Sequence, residues 1–91
     1  MTSENVNVSV GIDVAKETLE VAVIPLDSKW SLDNNPKQFP ALIQQLLELT
    51  PKRIIVEATG GLETLLVAQL SEAGLPVIVI NPRQSRDFAG F

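Results

Sequence analysis

Residues 6–14 alternate strictly. Val6, Val8, Val10, Ile12 and Val14 take one set of positions, and Asn7, Ser9, Gly11 and Asp13 take the other. A period of two predicts a β-strand with one apolar face. After the short connection Ala15-Lys16-Glu17, a second β-rich run extends from Thr18 to Ile24 and stops at Pro25. Two runs this close predict an antiparallel hairpin. Asp27 to Lys29 reads as a polar turn, and Trp30 to Asn34 as a third, shorter strand that completes a meander.

The period then changes. Asn34-Asn35-Pro36 is a helix-start signal, a capping Asn followed by Pro near the first turn. Pro40 is compatible only with a place in that first turn. Phe39, Leu42, Ile43, Leu46, Leu47 and Leu49 form a stripe at helical spacing, closed by Thr50-Pro51. Arg53 to Ala58 is a compact β-branched strand, broken by Thr59-Gly60-Gly61. Leu62, Leu65, Leu66, Gln69, Leu70 and Ala73 predict a second helix that ends at Gly74, and Val77 to Ile80 predict a final strand. Asn81-Pro82 turns the chain, and Arg83 to Ala89 reads as the start of another helix. Trp30 and the leucine stripes are expected in the core.

The predicted order is β-β-β-α-β-α-β. A meander followed by alternating helix and strand is the opening of a ribonuclease-H-like (RuvC-like) α/β fold. It implies a mixed sheet of strand order 3-2-1-4-5 with flanking helices and right-handed crossovers to parallel strands. At 91 residues the chain is expected to be one domain or part of one. No repeat, linker or low-complexity segment suggests a second.

Composition narrows the chemistry. There is no Cys and no His, which removes thiolate and imidazole metal sites and the Ser-His-Asp triad. A net charge of −4 argues against a general nucleic-acid coat, but not against a metal-dependent nuclease, whose ions offset clustered acids. Neither a signal peptide nor an apolar run of the roughly 18–20 residues needed for a membrane span is visible. A cytoplasmic protein of a bacterium or archaeon is expected.

Asp13 closes the first strand on its polar face, and Glu57 closes the first strand after the meander. In the expected sheet those strands are neighbours, so the two carboxylates would face each other. Two-metal phosphoryl transfer uses such acids to hold divalent ions about 3.5–4 Å apart, and Mg²⁺ prefers carboxylate oxygen and water. Two carboxylates rarely suffice to hold a pair of metal ions; three or four are expected. The bland reading, turn or capping acids at strand ends, applies to each residue taken alone.

Three blocks sharpen the picture: Gly11-Ile12-Asp13-Val14-Ala15-Lys16 with Leu19-Glu20-Val21-Ala22-Val23; Ile55-Val56-Glu57-Ala58-Thr59-Gly60-Gly61; and Asn81-Pro82-Arg83-Gln84 leading to Phe88-Ala89. In this order and spacing they resemble the N-terminal domain of the DEDD transposases of insertion-sequence elements, the IS one-ten type, over nearly the whole chain. The resemblance implies a RuvC-like catalytic domain that binds Mg²⁺ (or Mn²⁺) and cleaves and transfers DNA strands during transposition. It places the family's first two acidic residues on Asp13 and Glu57, both catalytic and metal-binding. The family's last two aspartates lie in a threonine-aspartate motif expected beyond Phe91. Asp87, in a different context, does not replace them. The nucleophilic serine belongs to a later domain. Such members are similar to RNA-guided recombinases, so a guide RNA is a further expected partner, beside DNA and a second copy of the protein. The 91 residues alone are therefore expected to be inactive.

Four residues are candidates for nucleic-acid contact: Lys16 after Asp13, Thr59 before the second helix, and the basic pair Arg83 and Arg86. A helix N-terminus beside Thr59-Gly60-Gly61 could meet an anion, although the glycines equally suit a sharp strand-to-helix turn. Glu63 reads as a first-turn acid that complements the helix dipole. Lys16, Arg83 and Arg86 could equally be solvated. Two other classes share the opening pattern. One is an actin-like or sugar-kinase ATPase half, which favours a Gly-Thr or Gly-Ser turn where this chain has Ala15-Lys16. The other is a non-catalytic α/β binding module in which Asp13 and Glu57 merely end strands.

Overall fold

The computed structural model describes residues 7–58 and 60–80. Five strands form one mixed sheet: β1 (Ser9–Val14), β2 (Thr18–Ile24), β3 (Ser28–Asp33), β4 (Arg53–Glu57) and β5 (Val77–Ile80). Their order across the sheet is β3-β2-β1-β4-β5, as the element order predicts. β1 pairs antiparallel with β2 and parallel with β4, β2 pairs antiparallel with β3, and β4 pairs parallel with β5. Helices α1 (Phe39–Leu49) and α2 (Thr64–Glu72) carry the two crossovers.

The alternation along β1 and β2 is realised as burial. Val10, Ile12 and Val14 are buried with Leu19, Val21 and Val23, and the intervening residues are not. Ile54 and Val56 continue the apolar face across β4. Phe39, Leu42 and Leu46 of α1 and Leu66 and Leu70 of α2 close over this same face in one core cluster. The path from β1 through β4 to β5 runs in one direction across the sheet. Crossovers of the same hand then put both helices on the same side. Among the described residues, the opposite side of the sheet carries no helix. No helix among them is long and apolar enough to cross a membrane.

Local chemistry explains the element ends. Asn35 caps a short 3-10 turn, Pro36–Gln38, by accepting a 3.0 Å hydrogen bond from the Lys37 amide. α1 follows with Pro40 in its first turn, where proline removes no helical hydrogen bond. It stops at Thr50, whose backbone is left-handed (φ 45°). α2 ends in a Schellman arrangement: the Gly74 amide donates to the Ser71 carbonyl and the Leu75 amide to the Leu70 carbonyl, with Gly74 at φ 85°. Buried Leu75 follows directly.

Several boundaries differ from the pattern-based expectation. β1 begins at Ser9, and of the two residues before it that are described, Val8 is nonetheless buried and its carbonyl accepts from the Lys52 amide. β3 begins at Ser28, two residues before Trp30, because its polar start pairs with Val23 and Ala22 of β2. Trp30 itself is only half-buried and packs against the rim of the core. Leu62 lies in the turn before α2, and Leu65 is on its outer face; both are exposed, so neither joins the core stripe. Leu47 likewise faces out from α1. Arg83 to Ala89 lies outside the described residues.

Candidate active site

Register builds the site. Asp13 is the strand partner of Glu57 on the parallel side and of Glu20 on the antiparallel side. Glu20 in turn pairs with Ser31. Cross-strand partners point to the same face, with neighbouring strands about 4.8 Å apart. One row therefore runs Ser31, Glu20, Asp13, Glu57 across four strands, on the face opposite the helices. All four residues are exposed. The next row on this face, two residues along each strand, is Lys29, Ala22, Gly11 and Ile55.

Both rows line a single open cavity of about 540 Å³. It is lined by Asp13, Glu20 and Glu57 in the first row and by Gly11, Ala22 and Lys29 in the second, with Glu20 on the strand next to Lys29. The two sequence candidates Asp13 and Glu57 are thus brought side by side on the strand ends of a common cavity.

The turn after Asp13 is tied down. The Asn34 side-chain amide donates to the Ala15 carbonyl at 2.7 Å, and the Asn34 backbone amide donates to the Glu17 carbonyl at 2.9 Å. The Ala15 amide closes the turn on the Thr18 carbonyl. Asn34, read from sequence as part of a helix start, instead anchors the end of β3 to the loop that follows Asp13; the capping role falls to Asn35.

Lys16 is exposed in that same turn and does not border the cavity. Thr59, Arg83 and Arg86 lie outside the described residues. Gly60 and Gly61 have φ of 72° and 77° and carry the strand-to-helix turn, where the Thr64 hydroxyl donates to the Gly61 carbonyl. Glu63 is the residue just before α2 rather than in its first turn, and makes no side-chain cap. Its Oε1 is buried without a partner among the described residues.

The charged donors at the site are carboxylate oxygens, which suit a hard divalent ion such as Mg²⁺. Two of them adjoin at Asp13 and Glu57. Among the described residues, no group of three or more acidic, His or Cys side chains is gathered as a metal site. The pair fits part of a coordination shell and not the whole of one.

Glu20 and Lys29 escaped the sequence reading, because neither stands at a strand end. The signal that finds them is register. A three-residue connection after Val14 sets Asp13 opposite Glu20, and the next hairpin sets Ala22 opposite Lys29.

Among the solved structures that share this fold are two of RuvC. T. thermophilus RuvC in complex with a Holliday junction substrate superposes with a TM-score of 0.67 at 18% identity, covering 90% of this chain and 69% of that one. A second Thermus thermophilus RuvC structure gives a TM-score of 0.62 at 19% identity, covering 82% of this chain and 62% of that one, less than two thirds of its length. No curated protein sequence matches the chain. The profile of the DEDD_Tnp_IS110 family, described as transposase, matches residues 10–91. From the strand that carries Asp13 onward, the chain belongs to this DEDD transposase family.

Proposed function

We propose that these residues are the N-terminal part of a RuvC-like catalytic domain that cleaves and transfers DNA strands during transposition, with Asp13 and Glu57 as two of its metal-holding carboxylates. The observation that carries the reading is the parallel register of Asp13 with Glu57 on the face of the sheet opposite α1 and α2. Side chains on adjacent strands in register are held in fixed relation by the sheet ladder, a better support than a loop would give. A divalent ion bound there, Mg²⁺ or Mn²⁺, would supply activation of the attacking oxygen and charge stabilisation at the leaving one.

The protein's own part is to present carboxylate oxygens at one end of an open cavity, on a rigid floor, beside a turn fixed by Asn34. Two carboxylates are fewer than such sites use, so the remaining ligands are assigned outside the described residues. The 91 residues alone then bind Mg²⁺ weakly and do not cleave DNA. DNA is the substrate; a guide RNA and a second protomer are partners of the intact protein.

The test is a titration of the chain with Mg²⁺, followed by amide NMR. Shifts are expected at Ile12 to Val14 and at Val56 to Ala58, and are lost in Asp13→Asn and Glu57→Gln. Without the ion, each of these variants keeps its stability or gains up to about 1 kcal/mol, because register partners of like charge repel. In the intact transposase each substitution lowers strand cleavage by more than about 100-fold, beyond the 10–100-fold typical of losing an outer partner of a metal ligand. Full cleavage by Asp13→Asn protein, or Mg²⁺ shifts centred elsewhere, would sink the reading.

A further inference from the structure

We propose that Lys29 is a phosphate-positioning residue, and that a DNA strand crosses the sheet through the trough over Gly11 and Ala22, with one phosphate at the acids and a neighbouring one on the Lys29 ammonium. This rests on the reading of Asp13 and Glu57 as a metal-holding pair.

Gly11 is the first observation. It lies inside β1, the central strand, where glycine weakens a sheet. Its backbone does not require it, since its φ is not in the left-handed region. Packing does not require it either: a Cβ built at Gly11 would meet nothing within 4 Å among the described residues. What the missing side chain does is lower the floor of the cavity. Ala22, its partner on β2, lowers the floor on the next strand. A glycine of this kind in a strand marks close approach by a ligand or another backbone.

Lys29 is the second. It closes the trough on the third strand, opposite Ala22, and is the one cation among the described residues bordering the cavity. Three carboxylates line the same cavity in the adjoining row: Glu20 on the strand next to Lys29, then Asp13 and Glu57 on the two strands beyond. A phosphodiester chain placed over the acids alone would be repelled wherever no bound ion offsets them. A flexible ammonium about 12 Å from Asp13 between Cα atoms (two strand spacings across, one two-residue step along) supplies charge for a phosphate beside the one at the acids. Lysine binds phosphate as a point charge, without the planar demands of arginine. The occupant selected by a shallow floor, a metal-holding end and a cationic end is an extended sugar–phosphate backbone.

The experiment titrates the 91-residue chain in Mg²⁺ with a short single-stranded DNA, read by amide NMR and by fluorescence anisotropy over a salt series. Gly11 and Ala22 amides are expected to move. Lys29→Gln should weaken binding several-fold and flatten the plot of log affinity against log salt by about 0.7, one phosphate contact on a single strand. Lys29→Arg should restore most of both. Lys37→Gln, on the 3-10 turn, should change neither. Glu20→Gln should leave affinity unchanged or raise it; if instead it matches Lys29→Gln, the lysine acts only as a partner of Glu20 and the proposal fails. Oligonucleotide that binds without moving Gly11 or Ala22, or no saturable binding at all, also overturns it. Mg²⁺ alone separates the two levels: Mg²⁺ shifts at Asp13 and Glu57 without a Lys29 effect leave the metal-site reading standing, while their absence removes that reading itself.

Discussion

Asn34 reaches back 19 residues to the Ala15 carbonyl, and through this bond the loop behind Asp13 is held to the end of the third strand. Its backbone amide repeats the attachment at Glu17, so removal of the side chain loosens the loop without freeing it. Asn34→Ala should cost about 0.5–1.5 kcal/mol, the net value of one hydrogen bond, by urea denaturation. Amide exchange at Ala15 to Glu17 should speed up while exchange in α1 stays unchanged. An unaltered exchange pattern would show that the bond does not brace the loop. Asp13 and Glu57 were legible as candidates because each stands at the C-terminal end of a clean strand pattern, Asp13 on the polar face of an alternating run and Glu57 after a β-branched one. Glu20 and Lys29 sit inside their strands at outward positions, where an alternating pattern places polar residues without any functional reason. Their relevance appears only when pairing sets them beside Asp13 and Gly11.

At the level of elements, β2 and β5 match expectation to the residue, since each is bounded by a proline or a sharp polar step. β3 is an edge strand with a polar start, and its beginning could not be told from a turn by periodicity. The leucine spacing predicts α2 from Leu62, whereas the helix starts at Thr64, and both Leu62 before it and Leu65 within it are left exposed. Its real inward face is Leu66 and Leu70, four apart. Its end is held by Gly74, where an added Cβ meets nothing within 4 Å. The cost of Gly74→Ala is thus conformational alone, about 1–2 kcal/mol for a left-handed non-glycine residue. Thermal unfolding that is unchanged in Gly74→Ala would mean that the helix end readjusts freely.

At the scale of the whole sheet, the decisive property is that α1 and α2, the two α-helices among the described residues, lie on one side. The other face carries the acids at one end and Ile55, Ile78 and Ile24 elsewhere, with Ile78 49% and Ile24 62% exposed. Val79, on the edge strand β5, is 46% exposed as well. Among the described residues, nothing pairs with the outer edge of β5. An apolar edge of this kind invites pairing with another chain. The 91-residue chain should associate with itself as concentration rises, by sedimentation velocity, and Ile78→Lys should shift it toward monomer. A monomer throughout would refute the expectation.

The pairing of β1 with β4 has a further consequence, for the route by which the molecule forms. Asp13 and Glu57 are 44 positions apart (57 − 13), while β1 meets β2 across a three-residue turn. The hairpin can zip early. The parallel seam must wait for β3 and α1 to be gathered into a closed loop, the kind of non-local contact that slows folding. The end of the sheet that carries Asp13 and Glu57 is therefore made by its slowest closure, and made against the mutual repulsion of the two carboxylates it joins. An ion that bridges them after closure would act as a stitch, delaying the reopening of the seam without hastening its formation.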